Sequence, residues 1–196
     1  MKKYSFFLLM SLGILLTTAC EDDDLPPEEN EEEVVTDVIL TFTPEGGGTA
    51  VEATAQDPDG EGVQPLAVVN DIVLAPNTTY TLTMELENSI ADESITEEID
   101  EEDEEHMFFF GWTDGLFTDP SGDGNIGDGN RSEPVNYNDF DDNNLPLGLS
   151  TDWTTGDAAT GTFRVILKHQ PDIKTATSDS QDGESDVDLT WDLIIE

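Results

Sequence analysis

Apolar and polar residues alternate along much of the chain with a period of two. The clearest run is Val187, Leu189, Trp191, Leu193 and Ile195, interleaved with Asp188, Thr190, Asp192 and Ile194. Tyr80, Leu82, Met84 and Leu86 alternate with Thr81, Thr83, Glu85 and Glu87, and Phe163, Val165 and Leu167 alternate with Arg164, Ile166 and Lys168. Successive side chains of a strand point to opposite faces, so each run predicts a strand with one face buried. Val38, Leu40 and Phe42 repeat the pattern within Val34 to Phe42. Thr49 to Ala55 follows it less cleanly, after a turn at Pro44-Glu45-Gly46-Gly47-Gly48. Leu66 to Val73 reads as a short strand interrupted by Asn70-Asp71. His106 to Trp112 is short and aromatic, which predicts a strand buried on both faces.

One segment breaks the period. Ser94-Ile95-Thr96-Glu97 fits a capping box, and Ile95 and Ile99 lie four apart. Like charges crowd the residues that follow, so one or two helical turns are expected and no more. Short strands between Gly, Asp and Asn turns predict an all-β fold. The expectation is a single antiparallel β-sandwich of seven to nine strands, of immunoglobulin-like type. No internal repeat is evident.

The first residues read as an address. Met1-Lys2-Lys3 is a positive n-region, and Phe6 to Leu16 is an apolar stretch of secretory length, too short to span a bilayer. Leu16-Thr17-Thr18-Ala19-Cys20 resembles a bacterial lipobox, which implies lipidation of Cys20 and residues 1–19 as a cleaved signal. The usual Leu position is held by Thr17. Glu21-Asp22-Asp23-Asp24 directly behind the cysteine resembles the surface-export signal of Bacteroidota lipoproteins, implying display on the outer membrane. Residues 20–33 then form an acidic tether: nine of the thirteen residues from Glu21 to Glu33 are acidic, with Pro26-Pro27 among them. Such a segment repels itself and cannot bury apolar area. Residues 34–196 are the sandwich domain.

Composition narrows the partners. The 196 residues carry 46 Asp and Glu against 6 Lys and Arg, a formal charge of −40. Two of those basic residues fall in the signal and no acid does, so the mature chain is more acidic still. Nucleic-acid binding through phosphates is excluded, because it needs a basic patch, and the membrane contact expected is the lipid anchor. A single Cys excludes an internal disulfide framework.

Over most of its mature length the chain also resembles a group of small Bacteroidota lipoproteins. The resemblance rests on Ile95-Thr96-Glu97-Glu98-Ile99 leading to Glu105-His106 and Phe108-Phe109-Phe110. It continues through Asn138-Asp139-Phe140-Asp141, Pro146-Leu147-Gly148 and Gly161-Thr162. Leu167-Lys168-His169-Gln170-Pro171 and Gly183-Glu184-Ser185-Asp186 complete it. Members carry the label "type 1 periplasmic binding fold superfamily protein". The resemblance implies a class of lipoprotein and no particular reaction.

Candidate chemistry falls in a few places. His106 shares parity with Phe108, Phe110 and Trp112, and His169 with Phe163, Val165 and Leu167. If their strands are neighbours, both imidazoles meet at one end of the sandwich. Glu102, Glu105 and Asp172 flank them, and Glu102 lies one helical turn before His106. Two imidazoles with carboxylates make a competent set for Zn, Cu or Fe; the alternative is two unrelated polar residues at strand ends. Three loops offer oxygens to Ca²⁺: Asp57, Asp59 and Glu61 around Gly60; Asp119 and Asp123, continuing to Asp128 and Asn130; and Asp139 and Asp141. Asp, Asn and Gly also dominate ordinary turns, so these loops read equally as turn chemistry. The acid-rich stretch Asp92 to Glu105 reads as a cation-collecting surface or a solvated loop. Trp112 and Trp153 read as core, or as platforms for a sugar or haem.

No nucleophile–base arrangement and no phosphate-binding loop is present, so an enzyme is not expected. The expected function is a surface-anchored, non-enzymatic lipoprotein that binds a cation or small ligand, accessory to a transporter of the TonB-dependent type. The alternative is a Ca²⁺-stabilised structural or adhesion module.

Overall fold

A computed structural model describes residues 33–60, 62–126 and 134–196. The signal, Cys20, most of the acidic tether, Glu61, Asp128 and Asn130 lie outside the described residues.

The fold is an all-β sandwich of two packed sheets with one short helix. Eleven strands form among the described residues: β1 (Asp37–Pro44), β2 (Val51–Gln56), β3 (Ala67–Val68), β4 (Ile72–Leu74), β5 (Thr79–Glu87), β6 (His106–Trp112), β7 (Phe117–Asp119), β8 (Asn136–Tyr137), β9 (Ser150–Thr155), β10 (Ala159–His169) and β11 (Glu184–Ile195). The larger sheet runs β3-β2-β1-β5-β9-β7, with β8 also paired to β9; the smaller runs β4-β11-β10-β6. The excess over seven to nine comes from β3, β4, β7 and β8, each only two or three residues long.

Two departures from the expected pattern have local causes. The interruption at Asn70-Asp71 is where the chain changes sheets: β3 pairs with β2, whereas β4 runs parallel to β11. Asn70 fixes the crossing, accepting from Thr54 N and donating to Glu52 O. The second sheet is therefore mixed rather than purely antiparallel. β9 carries no apolar alternation because its buried face is Thr151, Trp153 and Thr155. Thr151 Oγ1 accepts the Trp153 indole N–H at 2.7 Å, and Thr155 Oγ1 donates to Ala75 O at 2.7 Å, so buried hydroxyls stand where Val or Ile would be expected.

One apolar core fills the space between the sheets. At its centre Trp153 is fully buried, with ring centroids 4.9 Å from Trp112, 4.9 Å from Phe117 and 5.0 Å from Phe163. Trp112 is 5% exposed. Neither tryptophan presents an open ring face, so the sugar or haem platform is replaced by a core role.

β6 is buried on both faces. Phe108, Phe110 and Trp112 join the main core, and Met107 and Phe109 pack with Ile166 under Ile126 and Tyr137. Its free edge is covered: Asn125 exchanges hydrogen bonds with Phe110 N and O, Tyr137 Oη donates to Phe108 O, and Phe108 N donates to Leu147 O. Covering an edge strand satisfies its backbone and blocks pairing with another chain.

The helix α1 (Ile95–Glu101) is two turns long, as its charge density requires. Ser94 Oγ caps it by accepting from Glu97 N, and Ile95 and Ile99 bury its apolar stripe. Among the described residues no helix is long and apolar enough to cross a membrane.

Candidate metal centre

Glu102 caps the C-terminus of α1, its N–H donating to Glu98 O, and a turn delivers the chain into β6 at His106. β6 pairs antiparallel with β10, and the last pair in that register is His106 opposite His169. Directly opposed side chains on one face lie close enough to touch. The two imidazoles are stacked, with centroids 4.6 Å apart and planes 5° from parallel.

Each ring has a defined environment. His106 is fully buried, and burial pulls its pKa down from 6.5 to about 4, opposed by the Glu102 carbonyl and helped by the neighbouring His169. The ring is therefore neutral at pH 7. Its Nδ1 lies 3.2 Å from Glu102 O, and a carbonyl can only accept, so Nδ1 carries the proton. The lone pair is left on Nε2, which has no hydrogen-bond partner and sits 3.9 Å from Asp186 Oδ2. His169 Nε2 also lacks a hydrogen-bond partner and lies 3.5 Å from Glu105 Oε2.

Glu102, His106 and His169 each place one ligand atom within 4.8 Å of the other two, the one such trio among the described residues. Donors of a tetrahedral ion with bonds near 2 Å stand about 3.3 Å apart, so the three groups would have to draw together and the rings turn out of their stack to hold one. A backbone carbonyl holding Nδ1–H and aiming Nε2 is the support that imidazole ligands commonly have. Glu105 adjoins the trio through His169. Asp172 does not join it: that residue is exposed, at φ +61°, in the turn after β10.

The sequence alone did not single out Asp186. β11 is bulged between the pairs Leu167–Val187 and Lys168–Ser185, and Asp186 is the unpaired extra residue. A bulge re-aims a side chain. Here the Asp186 side chain turns inward and is fully buried beside His106, although strict alternation from Val187 would point it outward. Glu33 was likewise hidden, inside the acidic run. Burial, and then the neighbouring acids Glu98, Asp186 and Glu102, push its carboxyl up to about 7.

The loop behind the site is pinned. Gln170 N donates to Glu105 O at 2.6 Å, and Gln170 Nε2 donates to the carbonyls of Asp179 and Asp182. Gly183 sits at φ +74°, where a Cβ would lie 2.1 Å from His169 O, so only glycine fits. Lys168 Nζ donates to Gly183 O.

Most described carboxylates of the three oxygen-rich loops accept hydrogen bonds from the protein. Asp57 Oδ1 accepts from Asp59 N and Gly60 N, and the two Asp59 oxygens accept from Val63 N and Gln64 N. Asp139 accepts from Gly148 N and Ser150 N. Asp141 Oδ1 accepts from Leu145 N, while its Oδ2 meets Lys174. Asp119 accepts from Asn136 Nδ2; Asp123 is exposed, and its carbonyl takes Trp112 N. None of these acids belongs to a three-ligand group among the described residues.

Compared with protein-family models, with curated proteins and with solved structures, the chain finds no match in any of the three.

Proposed function

We propose that this protein is a surface-anchored, non-enzymatic lipoprotein that captures a transition-metal cation at His106, His169 and Glu102. The observation behind this reading is the stacked pair of buried imidazoles whose Nε2 atoms have no hydrogen-bond partner and face carboxylates. A neutral imidazole lone pair and a carboxylate oxygen repel unless a proton or a cation stands between them, and Zn, Cu and Fe all accept this donor set. Lipid on Cys20 would hold the domain to the outer membrane. The acidic tether would keep it clear of the surface, as an accessory that passes the ion to a transporter of the TonB-dependent type.

The test is metal content and metal-dependent melting of untagged protein starting at Glu21, beside the His106→Ala/His169→Ala variant. Stoichiometric transition metal, lost in the variant, is the expected result. Stabilisation by Ca²⁺ alone, equal in both proteins, would replace this reading with a structural or adhesive module.

A further inference from the structure

Lys174 and Asp141 meet where neither reaches water. Their side chains are 1% and 0% exposed, and Nζ lies 2.9 Å from Oδ2. The lysine comes from the loop after β10 and the aspartate from the loop before β9. The two carboxyl oxygens have different surroundings. Oδ1 accepts the Leu145 N–H at 2.7 Å. Oδ2 has no hydrogen-bond partner, and the ammonium beside it is not aligned as a donor to it. Nζ donates to Asp103 O at 2.6 Å. Lys168, by contrast, sends its Nζ to Gly183 O and Ser185 Oγ, and neither belongs to a carboxyl.

This arrangement suits a condensation. An ion pair is costly to bury, and a proton passing from Nζ to Oδ2 turns it into an uncharged amine and carboxylic acid. A neutral lysine amine is a nucleophile. Oδ2 is bonded to Cγ, so Nζ stands no more than about 4 Å from that carbon, held there by the fold rather than meeting it by diffusion. Attack of the nitrogen lone pair on Cγ puts negative charge on Oδ1. The Leu145 N–H already points at that oxygen, as a donor must to stabilise a tetrahedral species. The Cγ–Oδ2 bond then breaks. Oδ2 leaves as water with two of the three ammonium protons, and the third stays on the new amide nitrogen, facing Asp103 O. The step needs no oxidant, cofactor or second substrate.

We propose that Lys174 and Asp141 condense into an isopeptide bond, a covalent cross-link from Nζ to Cγ. The inference goes beyond cation capture and depends on no ion. The link closes the chain around β9 and β10 and staples the loop after β10, whose Gln170 N–H holds Glu105 O. Before linkage the pair contributes to stability as an ion pair; after it, the two loops are one covalent ring. Linked and unlinked chains are distinct species that mass separates.

Trypsin reads the link directly. The full mature chain is folded, then denatured and digested, and its peptides are weighed by mass spectrometry. In an unlinked chain trypsin cuts after Arg131, Arg164, Lys168 and Lys174, whereas an acylated Lys174 resists it. The expected product is Ser132–Arg164 joined to His169–Glu196, lighter than the two peptides by one water. Lys174→Arg keeps the positive charge and Asp141→Ala removes the carboxyl. Both should release Ser132–Arg164 as a free peptide, with circular dichroism to check the fold. The wild-type digest decides the matter even if a variant fails to fold. Free Ser132–Arg164 and His169–Lys174 from the folded wild type overturn the isopeptide. So does a water lost within a single peptide, which marks succinimide formation, or a joined product that persists in Lys174→Arg. None of these outcomes bears on metal binding at His106 and His169, so the two readings fail separately.

Discussion

Lys174 Nζ lies 2.9 Å from Asp141 Oδ2, with both side chains almost fully buried, and the same ammonium donates to Asp103 O at 2.6 Å. One lysine thus ties the loop after β10 to the loop before β9 and to the turn that delivers His106. Removing one member of a buried pair strands the other charge. Asp141→Ala should therefore cost about 3–5 kcal/mol in urea unfolding, with Lys174→Met/Asp141→Leu recovering most of it. Equal losses in the single and double variants would show that the pair contributes nothing beyond its packing.

Two groups near the site give the metal-free protein opposing pH responses. His106 has a folded pKa of about 4 against 6.5. The unfolded chain takes a proton the folded one refuses, so this contribution is present above 6.5 and lost as pH falls toward 4. Glu33 is raised from 4.5 to about 7, chiefly by burial and then by Glu98, so the folded chain keeps a proton the unfolded one releases. That contribution is in place below 4.5 and lost as pH rises toward 7. With chelator present, wild-type stability should be nearly flat between these limits. Glu33→Gln should lose stability on acidification across that window, and His106→Gln should lose it on alkalinisation. Parallel urea midpoints for all three proteins would remove this account.

Asn125 supplies both hydrogen bonds that close the β6 edge at Phe110. Asn125→Ala keeps the backbone donor but leaves Phe110 N–H buried without its acceptor. The expected cost is about 1–3 kcal/mol, with faster amide exchange at Phe110 than in the wild type. Unchanged exchange would mean the edge is protected by other means.

Gly183→Ala places a methyl against His169 O at a φ that side chains avoid. The expected outcome is a loss of about 1–3 kcal/mol from strain, with weakened transition-metal binding because the His169 backbone must shift. Retained affinity with reduced stability would separate the loop from the site.

Strands with an apolar face were legible because burial imposes period two on β1, β5, β10 and β11. β9 was not, since Thr151 and Thr155 satisfy their hydroxyls inside the core and so imitate a polar segment. The interruption at Asn70 was visible, but a side-chain bridge from Asn70 to β2 carries no sequence mark of a change of sheet. His106 and His169 were legible as a possible pair because each shares the parity of core aromatics at a strand end. Asp186 was not, because a bulge reverses parity without altering composition. Glu33 and Glu98 were lost among so many acids that no single one stands out.

The bulge at Asp186 has a consequence for how such a site can arise. Along a strand with one buried face, such as most of β11, residues one step from a core position face away from the core, and an acid there is harmless. Inserting a single codon into β11 turns that acid into the apolar layer while the residues on either side keep their partners. Deleting it would restore an uninterrupted ladder and erase the carboxylate beside His106. One residue in that strand therefore decides whether a buried carboxylate stands beside His106 or an unbroken ladder does.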